Sequence, residues 1–155
     1  MSTSRSRHAW PIPLPSIRPT TLQVLGVPAL DLSAEPRDGD AGMISPELRR
    51  LVRRVYVPDP ASRREPYASP LLADDLTGLP PAIVLTAERD VLRAEGDAYA
   101  ERLREAGIRV VHDVTPGVDH YFLTEDPVRA RLTMAMVAHE VRSASQPRMG
   151  PPGRS

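Results

Sequence analysis

Residues 22–27 (LQVLGV) form a short apolar run closed by Pro28, the length of a buried strand, with Gly26 as its weak point. After a polar loop, Ser45 and Pro46 supply an N-cap and a first-turn proline. Leu48, Leu51, Val52, Val55 and Tyr56 then follow at helical spacing, which predicts an amphipathic helix. On that helix Arg49, Arg50, Arg53 and Arg54 are expected to form the solvated face opposite the apolar stripe. Pro58 and Pro60 end it, and the stretch to Pro81 carries too many prolines for regular structure. Residues 82–86 (AIVLT) read as a second buried strand. A helix follows over residues 92–106, with Leu92, Gly96, Tyr99, Leu103 and Ala106 on one stripe and Gly107 just past its end. Gly96 on that stripe would let the helix approach a sheet closely. Residues 109–114 give a third strand, and Asp126 with Pro127 starts a last helix running to about Arg142.

Strands alternating with helices predict a parallel sheet with crossover helices, an α/β architecture, over residues 21–142. Residues 1–20 hold Pro11, Pro13, Pro15 and Pro19 with few core-forming side chains, and residues 143–155 are similar, so both are expected to be disordered tails. No internal repeat interrupts the region between them.

Composition narrows the chemistry. At 155 residues, 41% hydrophobic and 26% charged, the chain has the make-up of one soluble domain. Twenty basic residues balance twenty acidic ones, so no net field draws in nucleic acid or an anionic membrane. With no cysteine, disulfides, thiolate metal sites and thiol catalysis are excluded. No apolar run of signal-peptide or membrane-spanning length occurs, and the cytoplasm is the expected compartment.

In a parallel sheet, reactive groups collect beyond the carboxyl ends of the strands. Asp90 follows the second strand in TAERDVLRAEG, and His120 follows the third in TPGVDHYF, so adjacent loops can bring a base and its orienting carboxylate together. His112 and Asp113 on the third strand, with Asp119 and His120 beyond it, lack the spacing of a metal site, and no metal is expected. Ser69, among prolines in EPYASPLL, reads as part of a structural loop rather than as a nucleophile. Met134 and Met136 read as core or interface residues of the last helix.

From about Leu22 to Arg142 the sequence resembles the carboxy-terminal half of hormone-sensitive-lipase-like esterases, most specifically between Tyr56 and Val110. That family's Glu-x-Asp-x-Leu-Arg stretch is matched by Glu88, Asp90, Leu92 and Arg93, so the resemblance gives Asp90 the triad acid's role. Its Gly-x-x-His-Gly-Phe loop is matched by Gly117, His120 and Phe122, which gives His120 the role of general base. Tyr121 departs from that loop, standing where the family usually has glycine. The family's His-Gly-Gly oxyanion segment and Gly-x-Ser-x-Gly elbow have no counterpart in the sequence.

The resemblance implies an α/β-hydrolase sheet of about three parallel strands, incomplete, with one edge exposed and prone to self-association. It also implies hydrolysis of small carboxylic esters without any cofactor. The expected form is a truncated or split enzyme, nearly inert by itself and active only if an amino-terminal half completes it. The alternative is a non-catalytic remnant acting as an interaction module.

Overall fold

The computed structural model describes residues 21–40 and 42–145. Among these, three strands form one parallel sheet in the order β1-β2-β3, with β1 spanning Gln23–Gly26, β2 Ala82–Ala87 and β3 Val110–Thr115. The register pairs Gln23 with Ala82 and Ala82 with Val110. Every residue of the central strand β2 is buried. Its run of apolar side chains without alternation is what a strand covered on both faces requires. The sheet has the three parallel strands that the sequence predicts, and among the described residues the outer edge of β1 pairs with no further strand.

The helices are α1 (Pro46–Tyr56), α2 (Arg93–Glu105), α3 (Phe122–Glu125) and α4 (Pro127–Ser145). Their ends lie where the capping chemistry puts them. The Ser45 hydroxyl accepts from Leu48 N at 3.2 Å to start α1. Asp126 Oδ1 accepts from Val128 N and Arg129 N at 3.2 and 3.0 Å to start α4. At the end of α2, Gly107 takes φ +78°, while Gly107 N donates to Arg104 O and Ile108 N to Leu103 O, both at 2.9 Å. That double bond pattern is a Schellman closure, and Ile108 packs on the core beyond it.

Apart from the orientation of α1, three features differ from expectation. The proline-rich stretch contains two short 3-10 turns, Pro60–Arg64 and Pro70–Leu72. The single turn α3 is additional, and α4 continues to Ser145, into the segment expected to be a tail. The rest of the two expected tails, residues 1–20 and 146–155, lies outside the described residues.

The largest correction concerns α1, whose arginine face turns inward. Arg53 is 4% exposed; its Nε donates to Leu32 O at 2.8 Å and one terminal nitrogen to Glu35 Oε1 at 2.7 Å. Arg49 pairs with Asp40, and Arg50 reaches Pro36 O at 3.0 Å. Of the four arginines only Arg54 is exposed. The physical reason is the long β1–α1 loop, whose carbonyls and carboxylates need donors, and planar guanidinium groups satisfy several at once. The hydrogen bond from Arg53 holds Glu35 below the usual carboxylate range, as that from Arg49 does for Asp40.

A core of Leu30, Ala82, Val84, Tyr99, Ala100 and Leu103 fills the space between the sheet and α2. Gly96 sets how close these layers come, since a Cβ there would lie 2.5 Å from the Thr86 methyl group. Gly96→Ala is therefore expected to destabilise the fold by about 1–3 kcal/mol through overpacking, despite alanine's better helix propensity. Urea unfolding of the two proteins checks this, and a stabilised variant would mean that the layers are not in contact.

Candidate active site

The parallel strands end at one edge of the sheet, and the loops after β2 and β3 are stitched together there. Glu88 N donates to Thr115 O and Arg89 N to Val118 O, each at 3.0 Å, extending the β2–β3 ladder beyond its last residues. The Glu88 carboxylate accepts from Gly117 N at 2.6 Å. Gly117 sits at φ +71°, a conformation that favours glycine and turns the second loop back over the first.

These contacts bring Asp90 and His120 together. His120 Nδ1 lies 2.8 Å from Asp90 Oδ2, while Asp90 Oδ1 accepts from Leu92 N at 3.0 Å. The Asp90 side chain is 1% exposed. A buried carboxylate already accepting a backbone bond is an acceptor for the ring as well, an arrangement that favours the tautomer with its proton on Nδ1 and its lone pair on Nε2. The His120 backbone is fixed by its N–H to Asp119 Oδ1 at 2.7 Å. Asp119 Oδ2 accepts from Met43 N at 3.3 Å, tying the β1–α1 loop to the same corner. Tyr121 leaves the Asp90–His120 contact intact; its ring stands edge-on to the imidazole, with centroids 5.1 Å apart.

A cavity of about 290 Å³ opens beside His120. Its walls come from the turn out of β1 (Val27, Ala29), the following loop (Leu32, Ile44), one side of α1 (Leu48, Val52) and Tyr121. Val27 has φ +42°, a left-handed conformation that strains a β-branched residue at the cavity wall. The loop of residues 30–32 is held from several directions. Glu95 Oε2 accepts from Leu30 N and Asp31 N at 2.6 and 2.9 Å. Ser69 Oγ accepts from Leu32 N at 2.7 Å and donates to Arg63 O at 2.6 Å. Ser69 is fully buried and its hydroxyl is spent on the loop, as its proline-rich setting predicts.

The other sequence candidates lie elsewhere. His112 Nε2 is 3.0 Å from Asp97 Oδ1 and 3.2 Å from Thr86 Oγ1, a network between β3 and α2 away from the cavity. Among the described residues no three His, Asp or Glu side chains converge as metal ligands. No helix among them is long and apolar enough to cross a membrane. Met134 on α4 is exposed and Met136 half-buried. Glu95 escaped the sequence reading because its partners, Leu30 and Asp31, are distant in sequence, and Asp119, weighed there only as a metal ligand, also reaches the distant Met43. An acidic side chain beside Gly96 on a buried helical stripe was the available signal for Glu95.

The sequence matches the model of a family described as having the alpha/beta hydrolase fold over residues 5–124. This chain belongs to that family. The match begins inside the segment read as an amino-terminal tail. An arylesterase of Saccharolobus solfataricus is 40% identical to this α/β-hydrolase chain over 85 residues, 55% of this chain and 28% of the relative. An ethyl acetate hydrolase of Pseudomonas putida is 36% identical over 106 residues, 66% of this chain and 33% of the relative. The solved structure of a thermostable carboxylesterase cloned from a metagenomic library superposes with a TM-score of 0.75 at 34% identity, covering 82% of this chain and 46% of that one. This α/β-hydrolase chain thus spans about a third of those curated relatives and under half of that solved structure.

Glu95 generates a pH-dependent expectation. Burial raises its pKa, against the lowering effect of the two backbone N–H bonds. A carboxyl whose folded pKa is raised contributes stability that is full below its unfolded value and lost as pH rises through the folded one. Glu95→Gln keeps an acceptor without ionising. It is expected to be more stable than the parent at about pH 8, with the gap closing below about pH 4. Denaturant midpoints at the two pH values measure this; a variant less stable at the higher pH would show that the charge-assisted bonds outweigh burial.

Proposed function

We propose that this chain supplies the acid–base half of a serine carboxylic-ester hydrolase, with His120 as general base and Asp90 as its orienting carboxylate. The observation that carries the reading is the 2.8 Å contact between His120 Nδ1 and a buried Asp90, with Nε2 left free beside a cavity. In the completed enzyme a serine hydroxyl attacks the ester carbonyl carbon while Nε2 takes its proton. The same nitrogen returns the proton to the departing alcohol, leaving an acyl-serine, and then activates water to release the acid. Asp90 holds the ring in the Nδ1–H tautomer and stabilises the imidazolium formed at each step.

The 155 residues contain no Gly-x-Ser-x-Gly segment. The nucleophile and the donors for the developing oxyanion lie, in this reading, outside these residues, on polypeptide that pairs with the free edge of β1. Without it, that edge is a seat for self-association. The names of the relatives point to small esters, ethyl acetate and aryl esters among them, as substrates.

By itself the chain is expected to hydrolyse p-nitrophenyl acetate no faster than free imidazole and to resist labelling by a serine-directed fluorophosphonate. Stoichiometric labelling of any serine would contradict this. Mixed with the amino-terminal half of a related esterase, it is expected to restore ester hydrolysis. In that complex His120→Ala should abolish turnover and Asp90→Asn should lower it by about 10⁴-fold, whereas His112→Ala should do much less. Equal damage from His112→Ala, or a harmless Asp90→Asn, would refute the residue assignment. A complex that assembles but stays inert would favour an interaction module instead.

A further inference from the structure

The inward turn of the arginines leaves α1 mounted with its apolar stripe toward solvent. Leu48, Leu51, Val52 and Val55 recur at i, i+3, i+4 and i+7, and Val55 at 66% and the adjoining Tyr56 at 78% are the most exposed. Leu48 and Val52 edge the cavity, while Leu51 and Val55 face away from the body of the protein. A continuous apolar helical face of this kind, left in water, marks an interaction surface.

Charge placement indicates what fits it. Glu47 and Arg54 are seven residues apart, two helical turns, so they flank the stripe on the same side, one near each end. Both are exposed. Arg54 makes no ion pair among the described residues, and the contact of Glu47 with Arg50 is long, at 3.8 Å. When two such helices pack antiparallel about a two-fold axis, like flanks meet and the amino end of each lies beside the carboxyl end of the other. Glu47 of each copy then faces Arg54 of its partner, twice, and the helix dipoles oppose favourably. The surface complementary to α1 is α1 itself.

We propose that two copies of this chain associate through α1, as an antiparallel helix pair closed by reciprocal Glu47–Arg54 ion pairs. The proposal is independent of the ester-hydrolysis reading and leaves the β1 edge open. An 11-residue helix is about 16 Å long, so the contact falls below the ~1,600 Å² of a standard interface and the dimer is a dissociable one.

Sedimentation analysis of the full chain over a range of concentrations tests this. The wild type is expected to show a monomer–dimer equilibrium, and Val55→Asp to weaken it at least about 10-fold by placing a charge in the apolar seam. Glu47→Arg and Arg54→Glu, each alone, set like charges against each other twice and are expected to weaken it by about 10-fold. Mixed one to one, these two variants should form a heterodimer about as stable as the wild-type dimer, because both ion pairs are restored; its formation also shows that both are folded. A wild type that stays monomeric throughout would overturn the proposal. Association untouched by all three substitutions would place the contact elsewhere, such as the sheet edge, and would also overturn it. Single variants that are monomeric but fail to pair on mixing would refute the antiparallel geometry.

Discussion

Two backbone hydrogen bonds, from Glu88 N to Thr115 O and from Arg89 N to Val118 O, carry the pairing of β2 and β3 past the ends of the strands. Everything at the candidate site depends on that extension. It fixes the spacing of two loops that would otherwise diverge, and the Glu88 carboxylate on Gly117 N locks the second over the first. Asp90 can then sit almost wholly out of solvent and still accept from both the His120 ring and Leu92 N. Burying a carboxylate is costly unless its lone pairs are used, and here the fold supplies both partners.

A second constraint comes from the β1–α1 loop, which forms most of the cavity opposite His120. Its path is set by polar side chains reaching in from distant elements: Glu95 of α2, Ser69 of the proline-rich stretch, and Arg53 of α1. Each satisfies main-chain groups that would otherwise be buried without partners. Meeting that demand from α1 requires its arginines to face inward, and the apolar stripe is thereby presented outward. The exposed face of α1 and the shape of the cavity are two consequences of one hydrogen-bonding requirement.

Much of this was legible in the sequence because the signals are local. Ser45, Asp126 and Gly107 mark helix ends through bonds to residues within a turn, and the uninterrupted apolar run of β2 marks a doubly covered strand. Asp90 and His120 stood out because both follow strands within family-like motifs, and the structure sets them in contact. The orientation of α1 was not legible. Periodicity shows that a helix has two faces; which one turns inward depended on carbonyls at Leu32 and Ser33, whose positions no local pattern encodes. The same holds for Glu95, whose acceptor role joins residues more than sixty positions apart.

In the proposed role, His120 is held by a buried carboxylate within the chain itself. The ¹⁵N chemical shifts of the His120 imidazole in the isolated chain, at a pH where the ring is neutral, test this most directly. A single Nδ1–H tautomer with Nε2 unprotonated is expected, with loss of that preference in Asp90→Ala. A ring that averages between tautomers as free histidine does, or one protonated at Nε2, would contradict it.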